Sequence, residues 1–323
     1  MNLNFTLVGD VANPNGGPLA RFPGLNLTSL GFTFGTATPD NSFPTRIYTI
    51  EYDGFADFPQ YPLNLLADLN ATAGIISVHT TYLQLTPTQV DNAIPLSTSP
   101  GYYANGGVTH YYMIPTQNLP ILNGLRGIPI VGQPLADLIQ PDLRVLVNLG
   151  YGNPDYGWST GPANVTTPFG LAPHVGASVV LGDLAAGTQQ GIQAFKADLA
   201  TIPSTPITLP KLQAPLVNAL LGPAPSAIPP TPLNVVNTIA SIISTDYGVL
   251  QPTTDIALAL LTTIPAYDAT LFWDQLLQDN LINAIGLPIA ADVGLATVAS
   301  LIEFITIAEA VVSNIRDIQS LIP

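Results

Sequence analysis

Two side chains stand where acid–base chemistry could be built. Asp53 ends a strand-like run, Arg46 to Tyr52 (RIYTIEY), and His79 follows a helix-like run, Leu63 to Ile76, within three residues. A carboxylate beside an imidazole fixes one tautomer and stabilises the imidazolium, which leaves the far nitrogen free to act as a general base for a hydroxyl nucleophile. The same residues also fit a plainer description, a turn-forming Asp and a capped or exposed His, because Asp after a strand is common turn chemistry. A nucleophile is harder to find. Gly157-Trp158-Ser159-Thr160-Gly161 spells G-x-S-x-G. That motif works as a sharp turn with a strand before it and a helix after it. Here Gly-Asn-Pro-Asp-Tyr precedes it and Pro162 follows, so Ser159 is a weak candidate. It would need its Oγ within about 3.2 Å of a histidine nitrogen.

The other histidines, His110 and His174, stand apart, and no HExxH, P-loop or EF-hand pattern is present. No metal and no cofactor is expected. His110 falls inside a strand pattern and reads as structural. Cysteine is absent, which removes thiolate nucleophiles, disulfides and iron–sulfur sites.

The elements that would position Asp53 and His79 alternate in type. Leu3 to Val8, Arg46 to Tyr52, Val108 to Pro115 and Leu143 to Leu149 read as strands. Leu63 to Ile76 and Thr86 to Ile94 read as helices. Alternation of this kind predicts an α/β layer architecture. Asn13 to Pro23 (NPNGGPLARFP) reads as a plain surface connection, with a lid over the site as the other possibility. Tyr102, Tyr103, Tyr111 and Tyr112 fit core or cross-strand pairs better than an acyl groove.

Composition shifts near residue 170. A Pro-rich link runs from Pro203 to Pro232, and no basic residue lies between Lys211 and Arg316. Ala269 to Ile285 predicts a helix with Asp268 before it and Gly286 and Pro288 as stop signals. From Asp292 to Ile318 polar residues recur every three or four positions, giving a helix with a narrow polar stripe and a wide apolar face. Such a face needs a partner: its own core, another chain, or a lipid-rich surface.

The 323 residues include 7 Lys and Arg against 21 Asp and Glu, a net charge of −14. Too few cations exist to neutralise phosphates, so nucleic acid is excluded as a partner. Only 9% of residues are charged, where about 25% is usual in soluble domains. The 47% hydrophobic content argues against disorder driven by charge. Residues Met1 to Phe5 show no basic region leading into an apolar run, so no secretory signal is legible there.

Several long segments together resemble the PE-PPE domain, a mycobacterial family of serine α/β-hydrolases distantly similar to cutinases and lipases. They are LNFTLVGD with NPNGG, YDGFADFPQYPLNLLADLNA, HTTY, and the stretch from Tyr111 (YYMIPTQNLPILNGLRG) to Thr160, spread over about residues 3 to 172. The resemblance implies an α/β fold for residues 1–172, a partial α/β-hydrolase sheet that is the C-terminal two thirds of the domain; residues 173–323 read from composition as a Pro-rich link and a mostly helical, apolar region. The resemblance also implies hydrolysis or transfer of lipid-like acyl esters at the cell envelope. Asp53 to Pro59 is similar to the D-x-V-P-x-x-P turn of fungal-type lipases, which favours Asp53 as the acid over Asp57 and Asp10. His79 matches the family's late histidine. The family's G-x-S-x-[SG] nucleophile lies on a strand before the one matched by residues 3–8. The resemblance therefore implies little turnover by this chain alone. It also implies an exposed sheet edge that invites self-association, and envelope or membrane contact through the C-terminal helices. A non-catalytic envelope or interaction protein is the competing expectation.

Overall fold

A computed structural model of the chain describes residues 3–28, 31–201, 228–229 and 231–321. Most of the Pro-rich link lies outside these residues. The chain divides into two compact units, Met1–Pro203 with Thr263–Thr297, and Ser204–Thr262 with Val298–Pro323. Part of the tail, Thr263–Thr297, falls in the first unit. Helix predominates, beside a small mixed sheet and a long apolar helical C-terminal region.

In the first unit the β-branched and aromatic runs form the sheet. Strands β1 (Phe5–Val8), β4 (Thr45–Ile50), β5 (Ile94–Pro95) and β6 (Thr109–Ile114) lie in the order β1-β4-β6-β5. β4 is parallel to both neighbours, with Val8 opposite Tyr48 and Ile50 opposite Ile114, whereas β5 is antiparallel to β6. β2 (Asn26–Leu27) and β3 (Phe32–Thr33) form a separate pair. β1 and β5 are the edge strands of this sheet among the described residues, and Phe5 and Val8 of β1 are exposed. The inner strand β4 buries Ile47, Thr49 and Ile50, while Arg46 near its start is exposed. Tyr112 of β6 stacks on Tyr48 of β4 with ring centroids 4.8 Å apart, and Tyr111 is buried with Ile47 and Ala163. Tyr102 and Tyr111 are thus buried and Tyr112 forms a cross-strand pair, whereas Tyr103 is exposed beside His110.

The expected surface connection from Asn13 to Pro23 is instead interior. It contains a short helix, α1 (Pro18–Arg21), and Ala20, Arg21 and Phe22 are fully buried. Its polar side chains make this possible by serving backbone carbonyls that would otherwise lack donors. Asn13 donates to Ala56 O, Asn15 to Gly161 O, and Arg21 to Phe58 O and Thr167 O.

The helices carry the other corrections. α2 (Leu65–Ser77) overlaps its expected span and ends one residue beyond it, α3 (Pro87–Asp91) lies within its own, and α3 starts with a capping box between Thr86 and Gln89. After α4 (Asn123–Arg126), Leu143 to Leu149 is helical rather than extended, since it lies largely within α5 (Gly132–Asn148). Pro141 resembles a helix terminator but lies inside this helix. Read from Leu143 alone, the apolar residues alternate; read from Leu135, they recur at helical spacing. Leu138, Ile139, Asp142 and Leu146 then form one wall of a 340 Å³ groove facing Thr188 and Ile192 of α6 (Ala177–Thr201).

α7 (Pro232–Leu258) continues through a π-helical turn, Ala259–Thr263, into α8 (Ile264–Leu276). The chain then breaks at Asp279, with φ of +57°, and Asn280 caps α9 (Leu281–Ser320) by accepting from the Asn283 N–H at 3.1 Å. The expected stop at Gly286 and Pro288 does not occur, because both lie within α9. In the first unit Tyr267 donates to Pro23 O at 3.2 Å, and Ala284, Ala290 and Ala291 are fully buried. In the second unit Thr253 pairs with Glu303 and Asn314 with Asp246. There Val236, Tyr247 and Phe304 stand exposed.

Candidate active site

The C-terminal end of β4 delivers the acid. Asp53 N–H donates to Ile50 O at 3.1 Å, closing a turn in which Tyr52 takes a φ of +66°. Asp53 is fully buried, and a buried carboxylate needs donors. It has them. His79 Nδ1 lies 2.9 Å from Oδ2 and 3.1 Å from Oδ1, the Tyr82 hydroxyl donates to Oδ2 at 2.7 Å, and Phe55 N–H donates to Oδ1 at 3.0 Å.

α2 spans most of the chain between acid and base. Asn64 caps its N-terminus by accepting from Ala67 N–H, and its amide donates to Leu146 O at 2.7 Å, tying the helix to α5. At its other end Gly74 meets the turn that carries Asp53. A Cβ at Gly74 would stand 1.9 Å from Tyr52 O, so the residue has to be glycine for the helix to come this close. Directly after α2, a 3₁₀ helix over His79–Gln84 presents both His79 and Tyr82. Its tight three-residue repeat puts i and i+3 on the same side.

The His79 side chain is 31% exposed. The hydrogen bond to Asp53, reinforced by that carboxylate's charge, raises its pKa above the usual 6.5 against the effect of partial burial. An ionised Asp53 can only accept, so Nδ1 carries a proton and neutral His79 keeps its lone pair on Nε2. Nε2 makes no hydrogen bond among the described residues. Phe55 meets the ring edge-on at 4.9 Å. Gly9, just past β1, has a φ of +63°, and a Cβ there would fall 2.7 Å from both His79 Cε1 and Tyr82 Cε2. The arrangement is a buried acid, an oriented imidazole, and a free base nitrogen.

The remaining sequence candidates stand elsewhere. Asp57 is buried and accepts from Tyr52 N–H at 3.0 Å, and burial pushes its carboxyl well above the ordinary range. It is not bonded to His79. Asp10 is a turn residue, bonded to Ala12 N–H and the Thr38 hydroxyl. Ser159 Oγ lies 3.4 Å from Gln60 Oε1 and hydrogen-bonds no histidine among the described residues. His110 is exposed at its place in β6 and pairs with the Tyr103 hydroxyl at 3.2 Å. Sequence reasoning missed the contributions of Gly9, Phe55 and Tyr82. The signal for Tyr82 was its place three residues after His79.

Residues 1–152 match the PE-PPE domain. Over 335 aligned residues the chain is 45% identical to the uncharacterized PPE family protein PPE28 of Mycobacterium tuberculosis, covering 99% of this chain and 50% of that protein. It is 53% identical over 171 residues to esterase PE16 of the same organism, covering 53% of this chain and 30% of the esterase. It is 32% identical over 136 residues to diacyltrehalose acyltransferase Chp2, also of M. tuberculosis, covering 42% of this chain and 36% of that enzyme. The chain thus spans half or less of the length of these relatives. No solved structure matches it.

Proposed function

Taking as premise that residues 1–152 are a PE-PPE domain, we propose that this chain carries the acid and base of a serine esterase or acyltransferase that acts on lipid-like acyl esters. The observation behind this reading is the 2.9 Å contact of His79 Nδ1 with buried Asp53, with Nε2 unengaged among the described residues. In this reading His79 Nε2 takes the proton of a serine hydroxyl as its oxygen attacks the ester carbonyl. The imidazolium, stabilised by Asp53, returns the proton to the departing alkoxide and an acyl-enzyme remains. Water or an acceptor alcohol, deprotonated by the same nitrogen, then takes the acyl group and frees the serine.

Ser159 is not the serine in this reading, because its hydroxyl faces Gln60. Without a serine at Nε2 the chain by itself turns over acyl esters about a millionfold more slowly than a complete triad. Intact-mass labelling of the 323-residue chain with a fluorophosphonate, beside Ser159→Ala, tests this. No adduct is expected. A single adduct that disappears in Ser159→Ala would make Ser159 the nucleophile and overturn the half-site reading.

A second reading is that the chain attaches to envelope lipid. Two helical segments favour it, Pro232–Leu276 and Leu281–Ser320, of 45 and 40 residues, each long and apolar enough to cross a membrane by length and composition. Few of their apolar side chains are covered, and helices apolar on most faces are characteristic of lipid surroundings or a protein core. The two readings are compatible, since an enzyme acting on lipid esters benefits from residence at a lipid surface.

A further inference from the structure

We propose that Tyr82 is the positioning residue of the Asp53–His79 pair: its hydroxyl bridges the end of the sheet and the carboxylate, and so holds Asp53 in the orientation that meets Nδ1. This rests on the reading of Asp53 and His79 as acid and base.

The geometry begins in the sheet. Glu51 N–H donates to Ile114 O at 2.9 Å, on the β6 side of the chain. Along a strand successive N–H groups point to opposite sides, so Ile50 N–H faces the side of β1. β1 has already ended there: its last pair is Val8 with Tyr48, followed by Gly9 N–H donating to Tyr48 O at 3.2 Å. The Tyr82 hydroxyl stands where the next rung would be. It accepts from Ile50 N–H at 2.9 Å and donates to Asp53 Oδ2 at 2.7 Å. One oxygen atom thereby closes the ladder and fixes the acid.

Packing alone would not select this hydroxyl. Tyr82 is buried with Ile50, Val78 and Ile114, an apolar cluster in which a phenyl ring would serve. A buried hydroxyl is costly unless bonded, and this one is used both as acceptor and as donor. Burial, followed by the charge of Asp53, raises its pKa far above that of an ordinary tyrosine, so it keeps its proton for the carboxylate. The carboxylate is then gripped from outside the imidazole at both oxygens, Oδ2 by Tyr82 and Oδ1 by Phe55 N–H. With one grip removed it can pivot about the other. Because His79 and Tyr82 share one 3₁₀ helix, with ring centroids 5.7 Å apart, the base and the clamp on its acid are carried by the same turn.

The test is an NMR pH titration of His79 in the full 323-residue chain with labelled histidine, its signal assigned by His79→Gln. Three proteins are compared: the unmodified chain, Tyr82→Phe and Asp53→Asn. Tyr82→Phe is expected to move the His79 pKa down by at least half of the elevation that Asp53→Asn abolishes, with a matching loss of the Nδ1–H signature. A lower melting temperature with an unchanged His79 titration would overturn the proposal, leaving Tyr82 a structural residue only. A raised His79 pKa would overturn it too, because the hydroxyl would then only draw charge from Asp53. If Asp53→Asn leaves His79 unmoved, the acid–base reading itself fails, and that outcome is distinct. Should Tyr82→Phe not fold, 3-fluorotyrosine placed at residue 82 keeps the ring and makes the hydroxyl a stronger donor. A displaced His79 titration is expected there, and coincident curves would overturn the proposal.

Discussion

Gly9 and His79 share one space: a Cβ on Gly9 would sit 2.7 Å from His79 Cε1 and 3.0 Å from Nδ1. The glycine that ends β1 is therefore a boundary of the base. Gly9→Ala is expected to destabilise the fold by at least about 1–2 kcal/mol, the cost of a side chain in the left-handed region, before any clash is counted. It should also tilt the imidazole away from Asp53. A thermal melt together with the His79 NMR titration checks both effects, and the expected result is a lower melting temperature with a His79 pKa nearer 6.5.

Stability should fall as pH rises, for two separate reasons. His79 has a folded pKa above its unfolded value, so its contribution is fully present below about pH 6.5 and disappears as pH climbs through the folded value. Asp68, in α2, is fully buried, and neither of its carboxyl oxygens has a partner among the described residues. Burial pushes its pKa from 3.8 up to about 8. The folded state thus binds a proton that the unfolded state releases, and stability drops between about pH 4 and pH 8 by up to about 1.4 kcal/mol per pH unit. Urea titrations at several pH values should show Asp68→Asn flattening the drop below pH 6.5 while the His79 contribution above it persists. Parallel curves for the two proteins would count against a buried neutral Asp68.

Arg21 is buried entirely, with Nε on Phe58 O at 3.1 Å and Nη1 on Thr167 O at 2.7 Å. Desolvation lowers its pKa to about 10, and Asp57 opposes that shift. A lysine cannot reproduce the planar fork that serves both carbonyls. Arg21→Lys is expected to cost about 2 kcal/mol in chemical denaturation, the scale of one buried carbonyl left without its donor.

The apolar helices give a surface prediction. The full chain should float with neutral phospholipid vesicles in a density gradient, and Val236→Asp combined with Phe304→Asp should reduce the floated fraction several-fold, since each charge placed in hydrocarbon costs about 2.5–3.5 kcal/mol. Both side chains are exposed, so the fold itself should tolerate the change. Unchanged flotation would remove these faces from the lipid contact, and a shift to a larger species without lipid would favour self-association.

The pairing of Asp53 with His79 was legible because each follows an element boundary, and such boundaries are what residue patterns mark best. Asp53 rather than Asp57 came from the spacing to Pro59, and only Asp53 hydrogen-bonds His79. The nearness of Tyr82 to His79 could be read from their three-residue spacing, but its bridging role could not. That role depends on the end of β1 two residues short of the level of Ile50, which is a property of register and not of composition. α5 was misread where the alternating apolar residues of Leu143 to Leu149 pointed to a strand, and α9 where Gly286 and Pro288 were read as stop signals. In α9 the signals were overridden by packing: a Cβ at Gly286 would lie 2.6 Å from Leu171 Cδ1, so this glycine allows a close approach instead of ending the helix. Asn13 to Pro23 misled for the opposite reason, because its turn-forming polar residues spend their hydrogen bonds on interior carbonyls.

The outer side of β1 has one more implication. Its backbone runs parallel to β4 and stops at Val8, immediately before Gly9 and the imidazole behind it. Gly9 therefore belongs to two structures at once, the tip of the strand and the wall beside the imidazole, so a change that shifts the end of β1 also shifts the surroundings of His79.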